Sequence, residues 1–497
     1  MDRLGLRRKA VPWPPEEFEP QLTKMAEWSA WYSAEPLHLA DVYMNRLPDT
    51  PQGRFWRKLE RDERMQKLHV PMAADLATVS ADLLFSESPE IVIPEAHDDT
   101  ADPGAVSTQE RLDEVTTDSG LYSTLVEAAQ TAAAMGGVFL KINWDIDFKP
   151  FPILSVAQPD AALPEFRWGY LTAVTFFREI ERDERNRVYR HLEHHTMENG
   201  RGYIVNQLWV GRRDDLGRQI SLDDHPDTEH LEPEIDTGID DLLVRYVPNI
   251  LPNRLWRDSY FGNSDYQGVE GLLDALDETY TSWMRDVNLA KARIEVPETW
   301  LQRTESGRMV VDIDDPVYVA MNTPGDATDA DLPAAHQFDI RAQEHRETAL
   351  ELMDRIITGA GYSPQSFGLK IEGRAESGTA LRIRERKSMK TRAKKEFYFR
   401  APLEDMLHLL LRVDYEHFGN REVNPELRPQ VELADSIQES TSELAETVRL
   451  IQQAEAASVE TKVRMLHPDW TNDQIEAETD RILRENGMAV EEPEMRV

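Results

Sequence analysis

A mostly helical α+β fold is predicted from three stretches of the chain. From Ser264 to Ile294, apolar residues recur at Val269, Leu272, Leu273, Leu276, Tyr280, Trp283, Met284 and Val287, the stripe of an amphipathic helix. Ser264 and Gln267 spell a capping box before it, and Pro297 stops it. Acids lie early (Asp274, Asp277, Glu278) and bases late (Arg285, Lys291, Arg293), which suits the helix dipole. Such a rod would be roughly 40 Å long. A second helix is predicted from Gln343 to Thr358, with Ala349, Leu352, Met353, Ile356 and Ile357 on one face and Gly359 and Gly361 at its end. The pair, joined by a long insertion, suits an antiparallel arm with a small module at its tip. The third stretch alternates: Val138, Leu140, Ile142 and Trp144 against Phe139, Lys141, Asn143 and Asp145, as in a half-buried strand.

The remaining elements follow in order. Residues 1 to 19 read as extended, with Trp13 buried among prolines. Short helices are predicted at 21–33 and 54–68, and a longer one from Pro71 to Phe85. A strand covers Ile91 to Ile93, and residues 95 to 109 read as a polar loop. Leu121 to Met135 is an Ala-rich helix closed by Gly136-Gly137. Strands at 171–180, 187–196 and 203–210, separated by turn-rich segments, predict a meander; residues 212 to 240 read as an acidic loop. The insertion 295–341 holds strand candidates at Met309–Ile313 and Val317–Met321 and an acidic loop, Asn322 to Pro333. Tyr362 to Gly378 is a Gly- and Ser-rich loop. A helix runs from Thr379 to Phe418, broken or kinked near Pro402. A strand at 424–433 and two or three helices between Ser436 and Asn486 complete the chain, with a turn at His467-Pro468-Asp469, Thr471 as N-cap and a disordered tail after Gly487.

With 497 residues the chain has room for two to four domains, and 40% apolar residues suffice for real cores. The absence of cysteine excludes disulfides, thiolate metal sites and cysteine nucleophiles. No apolar run is long enough to span a membrane, and the basic N-terminus lacks the apolar segment of a signal peptide, so the expected compartment is a cytoplasm. The formal charge is −36. Such acidity serves solubility; it also suits a surface that meets DNA without gripping it, because non-specific DNA binding depends on Lys and Arg neutralising phosphates.

Against that background, Thr379 to Arg400 holds nine bases and two acids. Arg382, Arg386, Lys390 and Lys394 form one i, i+4 stripe; Met389, Ala393 and Phe397 form another. The bases either pair with acidic surfaces of neighbouring chains or face phosphates. Gly373-x4-Gly378-Thr379 mimics part of a P-loop but lacks its lysine and its preceding strand, so no nucleotide cofactor is expected. His191, His194 and His195 fall on a strand that points His194 away from the others, which favours a structural role over a metal site. Asp326, Asp329 and Asp331 lack the register of a calcium loop. Neither a nucleophile elbow nor a zincin helix is present, so no catalytic residue is assigned.

The order of pieces resembles the portal (head-to-tail connector) proteins of tailed bacteriophages. The residues that carry the resemblance are Leu68-His69-Val70 through Leu83-Leu84-Phe85-Ser86-Glu87, Gly262-Asn263-Ser264-Asp265-Tyr266 through Trp283-Met284-Arg285-Asp286, and Gly361-Tyr362-Ser363-Pro364 with Phe367-Gly368. Ser377-Gly378-Thr379-Ala380-Leu381-Arg382, Ser458-Val459-Glu460-Thr461 and Leu466-His467-Pro468-Asp469-Trp470-Thr471 complete them. The resemblance implies a non-enzymatic subunit of a ring, usually a dodecamer, around a channel for double-stranded DNA at the capsid vertex. Its partners would be the terminase motor, capsid or scaffold proteins and head-tail connectors, with no membrane and no cofactor. It implies a wing (1–263), stem helices (264–294 and 342–361), a clip (295–341), a tunnel loop (362–378), a spine helix with a wing return strand (379–435) and crown helices with an acidic tail (436–497). Stem packing would then fall to Leu272, Leu276, Tyr280 and Trp283. DNA contacts would fall to Lys370 and Arg374 in the loop and to Arg382, Arg386, Lys390 and Lys394 on the spine. The competing readings are a terminase-like packaging enzyme, which the incomplete P-loop opposes, and a DNA-binding scaffold protein without a channel.

Overall fold

The computed structural model describes residues 11–48, 50, 53–57, 67–96, 102–290, 340–369, 378–433, 448–454, 456–467, 470 and 472–485, with short backbone stretches at 293–295, 302–303, 309–310 and 334–336. The architecture is mixed α+β, as the periodicities predict.

The N-terminal part is helical. Helices α1 (Glu19–Ser33), α2 (Pro36–Asp41) and α3 (Arg54–Arg57) precede α4 (Met72–Leu84). The expected 54–68 helix is described only at its start; residues 67–70 are not helical, and 58–66 lie outside the described residues. Beyond strand β1 (Glu90–Val92), the expected loop 95–109 is corrected by α5 (Pro103–Asp118). Pro103 opens that helix, and Ala105, Thr108, Leu112 and Val115 recur at helical spacing on its buried face. Helix α6 (Leu121–Met135) ends at Gly136, whose φ of 88° suits glycine. A Cβ there would sit 2.7 Å from the Gly262 carbonyl oxygen, so the corner also requires glycine sterically.

Strand β2 (Gly137–Asn143) is flanked by β3 (Ile153–Ala157) and β10 (Val244–Pro248) in an antiparallel sheet. The predicted meander is a larger antiparallel sheet in the order β4 (Ala162–Arg167), β5 (Tyr170–Arg182), β6 (Val188–Glu198), β7 (Arg201–Arg212), β8 (Asp215–Ile220). β9 (Glu234–Asp236) pairs with β7 along the same side as β8. The acidic stretch 212–240 is therefore not all loop. Trp13 packs edge-on against Phe177 of β5, which fixes the extended N-terminal segment on this sheet.

Helix α7 (Glu270–Leu289) is shorter than the 264–294 read from the apolar pattern. The capping box is corrected as well. Ser264 Oγ donates to the Ala134 carbonyl and accepts from Tyr266 N, while Glu270 accepts from Gly268 N. Strand β11 (Arg293–Glu295) pairs with β14 (Ala334–His336), and β12 (Gln302–Arg303) pairs with β13 (Met309–Val310), both antiparallel. The Val317–Met321 candidate and the loop 322–333 lie outside the described residues. Helix α8 (Ala342–Ala360) returns beside α7 and ends at Gly361 in the left-handed region.

Helix α9 (Gly378–His417) runs through Pro402 instead of breaking there. Proline removes one backbone hydrogen bond, but Leu403, Met406, Leu407, Leu410, Leu411 and Val413 beyond it are all buried, and that packing offsets the loss. The expected strand 424–433 contracts to β15 (Gln430–Glu432), which pairs with β1. Helices follow at Val459–Leu466, capped by Ser458 Oγ accepting from Thr461 N, and at Asn472–Glu485; Thr471 is outside the described residues.

Two main cores hold these elements. One joins α1, α4, α7 and α8 through Trp28, Trp31, Leu76, Leu273, Leu276 and Ile356. The other joins α5, α6, β2 and the second half of α9 through Leu112, Leu125, Leu140 and Leu407. Among the described residues no helix is long and apolar enough to cross a membrane.

Candidate functional site

The start of the arm, the end of α8 and the middle of α9 meet in a buried polar junction. Lys395 Nζ donates to Asp265 Oδ2 (2.6 Å), to Ser80 Oγ of α4 (2.7 Å) and to Tyr362 Oη (2.8 Å). Tyr362 Oη donates to the same carboxylate oxygen at 2.6 Å, and Asn249 Nδ2 donates to the other at 2.8 Å. The Lys395 and Asp265 side chains are only 3% and 1% exposed. Burial depresses the lysine pKa, and Asp265 opposes that shift; burial first, and then Asp265, hold the Tyr362 hydroxyl far above its usual range. A desolvated pair persists only when its remaining hydrogen-bonding capacity is filled, and here three further groups fill it. Tyr362 and Ser363 are buried, with Ser363 N donating to Ser388 Oγ, so the predicted loop 362–378 begins as packed structure.

A second carboxylate centre lies along α7. Asp277 accepts from Val70 N (2.8 Å) and Trp56 Nε1 (3.1 Å) and meets His69 Nδ1 (2.8 Å). Leu68 N donates to Thr281 Oγ1 at 2.9 Å. Residues 53–57 and 67–70 are thus fastened across the helix. Burial raises the Asp277 carboxyl despite these donors and pushes Asp274 up to about 6. At the far end of the arm, the Trp283 ring stacks on His345 of α8, with centroids 6.2 Å apart and planes 8° from parallel; His345 and Arg341 both reach Asp286. Of the stripe singled out for stem packing, Leu276 is fully buried, Leu272 and Tyr280 pack partly buried on the core, and Trp283 is half-buried against α8.

Helix α9 divides its bases between two faces. Inward, Lys395 enters the junction and Arg392 donates to the Leu83 carbonyl. At the border, Lys387 donates to the Thr358 carbonyl and Arg400 pairs with Glu396. Outward, Arg386, Lys390 and Lys394 are exposed in one i, i+4 row, with Phe397 78% exposed beside them. Lys370, Arg374 and the Arg382 side chain lie outside the described residues, as do Gly373 and the aspartates of 326–331.

Each of the three histidines has a polar partner within its own sheet. His191 meets Asn206 Oδ1 (2.9 Å), His194 meets Thr175 Oγ1 (2.9 Å), and His195 meets Glu193 Oε1 (2.6 Å). Burial alone would raise the Glu193 carboxyl, but His195 and Lys141 hold it down at about 2. Among the described residues no group of three or more His, Asp or Glu is placed to hold a metal ion.

Reading the sequence by itself missed the junction. Lys395 is one of nine bases between Thr379 and Arg400, and its burial shows in the pattern only through Ser388 and Phe399, which share its face opposite the outward row. Nothing local marks Asp265 as its partner.

The described residues thus combine paired helices, antiparallel sheets and a long helix with one cationic face. The family is specific: the profile of the SPP1 Gp6-like phage portal proteins matches residues 15–492, and the chain belongs to that family. No curated protein matches it in sequence. Solved structures resemble it as well, two of which are particle assemblies. One is the neck of an empty GTA particle computed with C6 symmetry, at 11% identity over 80% of this chain and 90% of that one, with a TM-score of 0.40. The other is the virion of a native gene transfer agent particle, at 12% identity over 92% of this chain and 95% of that one, also with a TM-score of 0.40.

Proposed function

We propose that this portal protein is the subunit of a closed ring, usually of twelve chains, that conducts double-stranded DNA into and out of a capsid. In this reading residues 1–263 are the wing, α7 and α8 the stem, 295–341 the clip that docks the terminase motor and the head-tail connectors, 362–378 a tunnel loop, α9 the spine and 436–497 the crown. The protein works at the capsid vertex of the virion, assembles in the host cytoplasm and catalyses no reaction.

The observation that carries the DNA-path reading is the outward row Arg386, Lys390 and Lys394 in a chain of net charge −36. Few cations on an otherwise acidic wall give contacts that are weak, salt-dependent and permissive of sliding. Lys370 and Arg374 of the loop would add two more. The exposed Phe397 favours a second reading for that end of the row, a protein neighbour in place of DNA, since exposed aromatics next to cations suit protein interfaces. The test replaces Arg386, Lys390 and Lys394 with Ala and reads ring assembly by light scattering and DNA packaging and retention at several salt concentrations. Intact rings with altered, salt-shifted retention support the DNA path. Failure to form rings assigns the row to a subunit contact, and normal packaging at every salt concentration removes it from the channel.

A further inference from the structure

The β4–β5 hairpin ends in the turn Arg167-Trp168-Gly169-Tyr170, where Arg167 and Tyr170 pair and the two residues between them close the loop. Trp168 has φ 52° and Gly169 φ 89°. Two-residue loops with both φ positive are the type that matches strand twist, and they select Asn-Gly or Gly-Gly. A tryptophan there is strained by its Cβ. It is also 82% exposed, and Tyr170 is 78% exposed, so neither ring contributes its apolar surface to this chain's core. The Arg167 guanidinium lies 4.6 Å over the Trp168 ring, and Phe166, one residue back, packs on Tyr260 and braces the turn from behind. Strain and exposed aromatic area at a rigid, projecting tip are costs that folding alone does not explain. Trp, Tyr and Arg are also the residue types that dominate interface energetics.

The opposite edge of the same sheet has contrary chemistry. Strands β8 and β9 border it, and between residues 214 and 241 the sequence holds eleven acids and one base, Arg218. Asp236, Asp240 and Asp241 pair within the chain, but Asp224, Asp227, Glu229, Glu232 and Glu234 are exposed and have no ion pair among the described residues. A head-to-tail ring needs two unlike patches on each subunit, because the contact is heterologous.

We infer that the Arg167–Tyr170 hairpin of one subunit docks on the acidic β8–β9 edge of the next copy of this chain, which makes the large sheet a ring-closing element. The inference rests on the ring reading above. Arg167 supplies charge complementarity, Trp168 and Tyr170 supply apolar area, and the acidic edge gains a cation that its own chain withholds. The contact repeats around the ring and closes on itself.

The test uses the full-length chain, with mass measured by light scattering against protein and salt concentration. Trp168→Gly removes the ring and relieves the backbone, so the monomer should melt no lower than wild type. Its rings should need about tenfold more protein to form. Arg167→Glu should weaken assembly similarly, and adding Glu232→Arg with Glu234→Arg should restore part of it. Rings of unchanged stability in Trp168→Gly overturn the hairpin contact alone. A wild-type chain that stays monomeric at every concentration overturns the ring reading itself. Unchanged rings with lost binding of another virion protein would give the hairpin to that partner and overturn the proposal.

Discussion

The stretch leading through α7 holds two buried carboxylate centres that solve one problem differently. Asp265 meets a lysine brought from 130 residues away and shares it with Tyr362 and Ser80. Asp277 meets backbone and indole N–H groups and an imidazole, supplied by the short strap at 53–57 and 67–70. The first centre joins distant parts of the chain and is committed to its partner, since removing either charge strands the other. The second is assembled from backbone and indole N–H groups with an imidazole, leaves Asp274 nearby with a raised carboxyl, and ties down one short stretch that lies more than 200 residues earlier in the chain. One is a structural knot and the other a titratable clasp.

Lys395→Ala should break the knot. An uncompensated buried carboxylate costs about 3–5 kcal/mol, seen as a large loss of melting temperature or denaturant midpoint. Lys395→Met combined with Asp265→Leu should recover much of it; no recovery would mean that the pair's hydrogen-bond partners, and not its charge, hold the junction. Asp277→Ala should cost less, about 1–3 kcal/mol, because it orphans the Val70 and Trp56 donors and the His69 contact but leaves no buried carboxylate unpaired. A cost equal to that of Lys395→Ala would erase the contrast.

A still smaller effect separates the centres by pH. The folded-state pKa of Asp274, about 6, exceeds its ordinary 3.8, so the native state holds the proton more tightly than the unfolded chain. Stability therefore falls as pH rises from about 4 through about 6 and is recovered on acidification across the same window. Asp274 is only partly buried as a residue, and solvent around it screens the charge, so the change should stay below about 2 kcal/mol. Asp274→Asn should flatten it, and a pH profile identical to wild type would assign the dependence elsewhere. Smallest of all, replacing Arg386, Lys390 and Lys394 with Ala should leave thermal stability within about 0.5 kcal/mol, since none belongs to either centre. A larger drop would place that row in packing.

The sequence displayed what periodicity encodes. Helices α4, α6, α7 and α8 and the meander strands β5 to β7 emerge from spacing alone, because each buries one face. Helix α5 was lost because its buried positions include Thr108 and Ala105, weak apolar signals in a polar stretch. The capping box failed because Ser264 serves the α6 corner, a partner some 130 residues away that no local window contains. The outward row of α9 was legible as an i, i+4 stripe. The knot was not, because a lysine bound for burial and one bound for water read alike until the fold supplies the carboxylate.

The pairing of β1 with β15 has a consequence in time. The two strands lie about 340 residues apart. At ribosomal rates of about 5–20 residues per second, β1 waits roughly 20–70 s after its own synthesis before its partner exists. Lys395 emerges only shortly before β15, so the knot at Asp265 forms in the same late interval. An unfinished chain therefore presents a helical N-terminal part whose seams stay open until the last part of the chain has been made.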